Sequence, residues 1–330
     1  MLQLQNTTRF AASMALFPNE TATDTLYVIV KASFNVGKDV TLADEQTPPM
    51  AADVYWTEAG KSSIKYASDM HIGKPSTDII MLGHACAPDQ KEATQLDASL
   101  SVGQVTKTVR VFGDRLWQDG RMTSPTAFNT MPLVYEKAYG GFHITHGQLT
   151  GAETRNPVGR GFAGSRTIQE MNGVPLPNLE DPKQLIKEHT DQPTPAGFGF
   201  CAPNWHPRVA YAGTYDDAWQ KTRAPYLPVD FDKRFFNMAH PDLVYPGYLE
   251  GGELVSITHM QPDGVLKFDI PRVNLITRIR VAQRVEQPDF YLETLILEPN
   301  QRKLSMVWRA AMACDKQALK ISEVMIGLSR

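Results

Sequence analysis

LYVIVKASFNV, at residues 26–36, is the stretch that decides the fold class of this chain. Its even-numbered positions, from Leu26 to Val36, are all apolar, whereas its odd-numbered positions change from apolar to polar along the stretch. A period of two places successive side chains on opposite faces of a strand. The stretch therefore predicts a β-strand with one face in a hydrophobic core and a second face that becomes polar.

Further strand-like stretches lie on both sides of this strand. Three pairs are separated by short turn-forming sequences, which is typical of β-hairpins: residues 96–102 and 105–112, 253–260 and 265–270, and 290–297 and 304–308. Residues 77–86 and 319–328 are single strand candidates, and helical periodicity is restricted to 179–189 and 216–223. The sequence therefore predicts a mainly β protein, an antiparallel β-sandwich-like framework with few short helices.

Proline and glycine are concentrated in the middle of the chain. Residues 121–250 hold 14 of the 23 prolines and 12 of the 23 glycines, together with many aromatic residues. A flexible linker lacks such aromatic anchors. We therefore expect a long loop region folded across the sheets within one unit of residues 1–330, in which 1–120 and 251–330 supply the N-terminal and C-terminal β regions.

The charge and the cysteine content limit which partners and which cellular compartment are expected. The chain has 33 Lys and Arg against 36 Asp and Glu, a net charge of −3, so a nucleic-acid partner is not expected. Cys86, Cys201 and Cys314 are far apart and form no Cys-x-x-Cys pair, which favours a reducing compartment. The first nine residues show no secretory pattern, and the apolar run at residues 26–30 is too short for a membrane span. These features predict a cytoplasmic protein without membrane insertion.

Three short motifs are compatible with chemistry, but their context favours structural roles. Residues 159–164 match Gly-x-Gly-x-x-Gly without the preceding strand and following helix that a dinucleotide needs. His143 and His146 form a His-x-x-His without an accompanying cysteine pair. A metal-dependent module centred on these two histidines is one of three hypotheses for the function, and other residues of the chain support the two others. Cys201 and His206 are a conceivable nucleophile pair, although a buried structural cysteine is the commoner case. We expect no cofactor and no metal.

Clustered carboxylates raise an enzymatic alternative. Glycoside hydrolysis needs two carboxyl groups a few ångströms apart, and a β-sandwich can present them. The candidates are Asp216, Asp230, Asp232, Glu250 and Glu253. Spacing along the chain does not determine their spacing in the fold, so a carbohydrate-active hydrolase stays open as the rival function.

A series of short motifs, taken in chain order, resembles one protein family. The motifs are PLVYEKAYGG (132–141), NPVGRG (156–161), LPNLE (176–180), PAGFG (195–199), WHPR (205–208), GTYD (213–216), LPVDFD (227–232), RFFN (234–237) and GYLEGGE (247–253). Together they resemble the DUF2169 family of Gram-negative bacteria. The residues that carry the signature are Glu136, Tyr139, Gly140, Gly141, Asn156, Pro157, Gly159, Gly161, Trp205, Gly213, Tyr215, Asp216, Gly251, Gly252 and Glu253.

The resemblance implies a role in type VI secretion. Members of the family are encoded beside type VI secretion genes, near PAAR proteins, VgrG spike proteins and toxic effectors. It implies a non-enzymatic adaptor or chaperone that helps to load an effector, or its PAAR-bearing segment, onto the VgrG spike. The resemblance supplies no catalytic residue.

An adaptor needs a surface that binds a partner and releases it. Aromatic, arginine and carboxylate side chains crowd within 16 residues at Trp219, Arg223, Asp230, Asp232 and Arg234. Aromatic residues and arginine are typical anchors of protein interfaces, and loops on a rigid scaffold commonly carry binding residues. We therefore predict that these five residues contribute to the partner surface.

Overall fold

The computed structural model describes residues 3–262 and 264–329, and most of its regular structure is β. The strands are β1 (Gln3–Asn6), β2 (Ala11–Pro18), β3 (Asp24–Val36), β4 (Val40–Leu42), β5 (Val54–Tyr55), β6 (Ile64–Tyr66), β7 (Asp78–Met81), β8 (His84–Cys86), β9 (Gln95–Val102), β10 (Val105–Phe112), β11 (Trp117–Gln118), β12 (Arg121–Met122), β13 (Thr130–Pro132), β14 (Tyr139–Gly140), β15 (Phe142–Thr145), β16 (Gln148–Ala152), β17 (Arg160–Gly161), β18 (Leu179–Glu180), β19 (Leu254–Thr258), β20 (Val265–Asp269), β21 (Leu275–Val281), β22 (Arg284–Glu286), β23 (Tyr291–Glu298), β24 (Lys303–Ala313) and β25 (Ile321–Leu328).

Helices are few and short in this described part of the chain. The α-helix is α1 (Asp217–Thr222). The 3-10 helices are Pro88–Gln90, Tyr135–Lys137, Arg208–Tyr211, Lys233–Phe236, Pro241–Leu243, Pro299–Gln301 and Asp315–Lys320. The prediction of a helix at 216–223 is confirmed by α1.

The predicted strand at residues 26–36 lies in the middle of the largest sheet. This sheet has the order β2-β3-β24-β23-β7, with β4 paired to the end of β3. Val30 lies between Ala12 of β2 and Trp308 of β24, and both pairings are antiparallel. The even-numbered side chains from Leu26 to Val36 enter the hydrophobic core, while Lys31 and Ser33 are buried on the opposite face. The alternation in the sequence is therefore confirmed on both faces.

Two further sheets share the same hydrophobic core. One has the order β18-β10-β9-β19-β20 and the other the order β1-β25-β21-β22. The core draws apolar side chains from all three sheets, for example Val28, Val30, Leu295, Leu100, Val109, Ile257, Ile279 and Val324. The three predicted hairpins are present as β9–β10, β19–β20 and β23–β24, although turn residue Asp263 lies outside the described residues. The prediction of a mainly β, sandwich-like fold is confirmed.

Two local predictions are wrong, and tertiary contacts explain both. Residues 179–189 do not form a helix, because Leu179 pairs with Val111 as a strand and the buried Glu180 carboxylate accepts the Ile186 N–H. Residues 77–86 form two strands, β7 and β8, rather than one. In addition, β7 pairs with β23 and β1 pairs with β25 in parallel, which long connections permit and hairpins do not.

The Pro- and Gly-rich stretch 121–250 contains only short strands within its described structure, as predicted. It is nevertheless part of the main core, to which Tyr135, Phe198 and Trp205 contribute buried rings. The ring of Trp205 meets the ring of Tyr135 edge to face at 5.3 Å between centroids. A single unit of residues 1–330 stays a prediction, and this shared core supports it.

Most of the early signature residues build one tight crossing, which we call the Asn156 knot (residues 135–141 and 156–161). The Asn156 side-chain amide donates to the backbone carbonyl oxygens of Tyr135 and Tyr139 at 2.8 and 2.9 Å. The backbone carbonyl oxygen of Asn156 accepts the Gly141 N–H. A Cβ on Gly140 would lie 2.1 Å from the Asn156 carbonyl oxygen. The glycines are thus required because the backbones touch.

The knot is also fastened to the rest of the protein. The Glu136 carboxylate accepts hydrogen bonds from the N–H and the hydroxyl of Ser63, at 2.7 and 2.8 Å. Gly161, at a φ of +89°, lies against the ring of Pro177, and Pro157 occupies the turn that follows Asn156. These family-signature residues therefore have structural roles.

The face of the large sheet opposite the hydrophobic core carries buried charges. Arg309 on β24 pairs with Glu293 on β23 at 2.7 Å and donates to the Asp69 carbonyl at 2.6 Å. Lys31 lies 3.4 Å from the Asp69 carboxylate. The His71 ring is 3.1 Å from Arg309, and burial, followed by the charge of Arg309, lowers the pKa of His71 well below its usual value. This imidazole is therefore held neutral.

A second part of the same network holds residues 237–238, near the end of the loop region. Lys74 donates to the Asp78 carboxylate at 2.6 Å and to the Thr294 hydroxyl at 2.8 Å. Asp78 also accepts from Asn237 Nδ2 at 2.9 Å and from Met238 N–H at 2.7 Å. Because each of these groups is buried, the contacts attach residues 237–238 firmly to the edge of the sheet.

The Asn156 knot gives a stability prediction with a matched control. Gly140→Ala introduces a Cβ that collides with backbone, so we expect a loss of unfolding free energy well beyond the roughly 1–2 kcal/mol of left-handed strain. Gly147→Ala also has a positive φ, +79°, but nothing lies within 4 Å of its Cβ, so only the strain is expected. Urea denaturation measures both variants. Equal losses would contradict the role of the knot.

Candidate partner-binding surface

The predicted partner residues lie in a largely exposed, aromatic-rich segment, which we call the aromatic arm (residues 209–236). Its aromatic residues are Tyr211, Tyr215, Trp219, Tyr226, Phe231, Phe235 and Phe236. Val229 is 89% exposed, and Tyr215 is 54% exposed. Exposed apolar side chains in such density on one segment are typical of an interaction surface.

Local hydrogen bonds give the arm a defined shape. Asp216 caps α1 by accepting the Trp219 N–H at 2.8 Å, which is the usual role of an aspartate before a helix. The Trp219 indole donates to the Tyr226 carbonyl at 2.8 Å, and its ring meets the Tyr215 ring at 4.8 Å between centroids. Gly213 has a φ of +79° beside Pro228, so the arm turns sharply there. Trp219 is therefore half-buried within the arm.

Two basic residues join the arm to the turn between β2 and β3. Arg223 donates to the Leu227 carbonyl inside the arm and to the Glu20 carbonyl in that turn, at 2.8 and 2.7 Å. Lys233 forms an ion pair with the Glu20 carboxylate at 2.7 Å. Arg223 therefore holds the position of the arm, and its guanidinium is engaged on both sides.

The remaining predicted partner residues are also engaged in local contacts. Asp230 accepts the N–H and the hydroxyl of Thr214 at 3.0 and 2.7 Å. Asp232 pairs with Arg234, whose guanidinium carbon lies 4.4 Å from the ring centre of Tyr211. Among the described residues, no hydrogen bond or ion pair joins Trp219 or Arg223 to this pair. The five residues therefore share one segment without forming one cluster.

A groove of about 410 Å³ runs beside the base of the arm. Four prolines line it: Pro75, Pro207, Pro241 and Pro246. Tyr211 and Tyr245 add rings, while Arg208 and Arg234 add positive charge. Of the five predicted partner residues, only Arg234 lines this groove. We call this feature the proline groove.

Arg208 is a buried residue of the proline groove that the sequence analysis did not select. It is only 4% exposed, and it donates to the carbonyl oxygens of Phe235 and Cys201. Burial lowers the pKa of its guanidinium. Its only signal in the sequence is its place in the Trp205-His206-Pro207-Arg208 motif, and nothing in that motif indicates a groove.

One wall of the groove depends on a buried histidine. His240 Nδ1 accepts the Asp242 N–H at 3.2 Å and so caps the 3-10 helix Pro241–Leu243. Lys107 lies beside both residues, 3.2 Å from His240 Nδ1 and 2.9 Å from the Asp242 carboxylate. Burial, followed by the charge of Lys107, lowers the pKa of His240 to about 4. The neutral ring therefore helps to position Pro241 in the groove wall.

The carboxylates of the hydrolase alternative serve mainly as acceptors for turns. Asp216, Asp230 and Asp232 accept backbone N–H groups, and Glu253 accepts the N–H groups of Glu250 and Gly251 at 2.9 Å each. Hydrogen bonds from Thr214 lower the pKa of Asp230, and the bond from Arg234 lowers the pKa of Asp232. A general acid requires a raised pKa, so neither group fits that role.

The structure also gives the positions of the histidine and cysteine motifs. His143 lies on β15, and His146 lies in the turn to β16 with a φ of +51°. Cys201 is buried 3.2 Å from the Tyr135 hydroxyl, whereas His206 is exposed. Within residues 3–262 and 264–329, no three His, Cys, Asp or Glu side chains form a metal-binding group. The same described residues contain no helix with the length and apolar character needed to cross a bilayer.

Comparison with known families agrees with the motif series. A family model described as "Uncharacterized protein conserved in bacteria (DUF2169)" matches residues 21–309. The chain belongs to the DUF2169 family. The match includes the arm, the proline groove and every signature residue, from Glu136 to Glu253, of this DUF2169 chain. Comparisons with curated proteins and with solved structures found no match.

The later DUF2169 signature residues have structural roles like those of the knot. Gly251 and Gly252 have φ values of +93° and +89°, and a Cβ on Gly252 would lie 2.6 Å from Arg272 Nε. The Glu253 carboxylate closes that turn. Trp205 is buried, and Gly213 shapes the arm. The family signature thus maintains the framework around the arm and the groove.

The groove wall gives a pH prediction. His240 takes up a proton near pH 6.5 when unfolded but only near pH 4 when folded, so the unfolded state binds more protons between these values. We expect the unfolding free energy to fall as the pH drops from 7 to 4.5, with about 2 kcal/mol of the loss due to His240. Urea titrations at both pH values should show a smaller loss for His240→Gln. His84→Gln, at an exposed site, is the control, and equal pH dependence of all three proteins would contradict the assignment.

Proposed function

We propose that this DUF2169 chain is a non-enzymatic, cytoplasmic adaptor or chaperone. It binds a type VI secretion effector, or the PAAR-bearing segment of one, and helps to load it onto the VgrG spike. The observation that carries the proposal is the exposed aromatic arm beside the proline groove, both mounted on one rigid β framework. The secretion context comes from the family that the motifs resemble.

The arm has the composition of an interface anchor. Aromatic residues and arginine are enriched among the residues that contribute most of the binding energy at protein interfaces. Here Val229, Tyr215 and Tyr226 are exposed at the arm, while Arg223 and Lys233 hold its base against the turn at Glu20. A partner can therefore bind a surface that is already ordered, which reduces the entropy lost on binding.

An adaptor also has to release its partner. The proline groove is open to solvent and lined by residues of loops and short 3-10 helices, so a bound segment can leave without unfolding the framework. The framework itself is stabilised by the buried ion pairs and by the Asn156 knot. This division between a rigid framework and an accessible surface suits reversible binding.

Co-expression tests the proposal directly. Each effector and PAAR-bearing protein encoded near this chain is expressed with and without it, and we expect one of them to co-elute in size-exclusion chromatography and to depend on this chain for solubility. Failure of every candidate to co-elute with the well-folded chain would contradict the adaptor function.

Substitutions that change charge or polarity test whether the partner binds at the arm and the groove. Arg234→Glu and Val229→Asp should each lower the amount of captured partner about tenfold or more, because they place negative charge in the interface. Arg278→Glu and Val285→Asp are the matched controls, since both residues are exposed on the sheet that contains β21 and β22. Capture is measured by pull-down, and folding by thermal denaturation. Equal capture by test and control variants would place the partner elsewhere.

A further inference from the structure

Arg208 in the proline groove is a buried cation that forms no close ion pair among the described residues. Its guanidinium donates to two neutral carbonyl oxygens, those of Phe235 and Cys201. No carboxylate of the described residues pairs with it directly, although the residue is only 4% exposed; Asp78 and Asp53 act on its charge from a longer distance. A buried charge is costly unless it is paired, and most buried arginines meet an acidic group. The other buried arginines here follow that rule: Arg115 pairs with Glu180, and Arg309 pairs with Glu293.

The lining of the groove contains positive charge and no carboxylate. Both charged residues that line it, Arg208 and Arg234, are positive, and no Asp or Glu belongs to its lining, although Arg234 pairs with Asp232 outside the groove. The two other large clefts differ in this respect. The cleft of about 570 Å³ contains Lys31 together with Glu298, and the cleft of about 860 Å³ contains Lys183 together with Asp181. Only the proline groove, among these three, lacks its own negative charge.

The remaining surface of the groove is apolar and shaped by prolines. Val244, Ala239 and the rings of Tyr211 and Tyr245 accompany the four prolines. Grooves lined by aromatic rings accept extended peptides, and the two tyrosines give this groove such a lining. A guanidinium at the base of such a groove forms a strong, directional pair with a carboxylate.

We propose that the proline groove binds an extended peptide segment of the partner in which an Asp or Glu side chain is flanked by apolar residues. The acidic side chain pairs with Arg208, and the apolar neighbours contact the prolines and tyrosines. Arg234 adds positive charge at the rim. This inference rests on the proposed adaptor function, because it names the chemistry of the segment that the adaptor recognises.

Selection from a random nonapeptide display library tests the groove without knowledge of the natural partner. We expect peptides selected on the wild-type protein to be enriched in Asp or Glu next to apolar residues. One fluorescein-labelled selected peptide is then compared with its Glu→Gln or Asp→Asn counterpart by anisotropy. The amide counterpart should bind about tenfold or more weakly, as expected for the loss of a charge-assisted hydrogen-bonded pair.

Two variants that introduce opposite charges at the exposed groove residue Pro246 test whether the peptide binds in the groove. Pro246→Glu should weaken binding of the acidic peptide about tenfold or more, whereas Pro246→Lys should retain it or strengthen it. Replacing Arg208 itself removes two backbone hydrogen bonds and endangers folding, so the exposed pair of variants carries the test. Thermal denaturation confirms that both variants fold.

Several outcomes would overturn the inference: no selected peptides, no acidic enrichment, equal binding of acid and amide peptides, or equal effects of the two Pro246 variants. Failure of this inference about the groove is distinguishable from failure of the proposed adaptor function. Effector capture that is unaffected by Pro246→Glu, without acidic-peptide binding, rejects the groove and keeps the adaptor. Acidic-peptide binding without capture of any effector rejects the secretion role and keeps the groove.

Discussion

The ion pair between Lys74 and Asp78 is the interaction on which the position of the candidate site depends. Both side chains are buried on the polar face of the large sheet, where an unpaired charge would be strongly destabilising. Asp78 uses its remaining acceptor capacity for Asn237 and Met238, which directly follow the aromatic arm. Ser76 and Asn237 line the proline groove and touch each other through Asn237 Nδ2. The same buried network therefore connects the sheet, the base of the arm and the groove.

This arrangement explains how a loop region without extended secondary structure can present an ordered surface. The Asn156 knot satisfies buried backbone groups within the loop region, and Glu136 attaches the knot to Ser63. Arg223 attaches the arm to the turn at Glu20. Each attachment replaces hydrogen bonds that a helix or a sheet would otherwise supply. The loop region is consequently held where it meets the framework and exposed along the arm.

Much of the fold could be predicted because its signals are local. The alternation at residues 26–36 and the turn chemistry at Gly103 act within a few residues, so strands and hairpins follow from them. The helix at residues 179–189 was predicted wrongly because pairing with β10 and the burial of Glu180 override the helical pattern. In the candidate site, the arm was predictable from its composition, whereas Arg208 was not, because its burial without a close ion pair exists only in the folded chain.

By itself, the sequence determined the β class, the hairpins and the helix at 216–223, since each depends on residues that are close along the chain. It also determined the family membership, because the order of short motifs along the chain is itself the signal. The tertiary structure alone decided the parallel pairing of β7 with β23 and the assembly of the proline groove from residues near 75, 208 and 245. These features bring together segments separated by more than a hundred residues. Their geometry depends on how buried charges and apolar faces are satisfied simultaneously, and no local pattern encodes that.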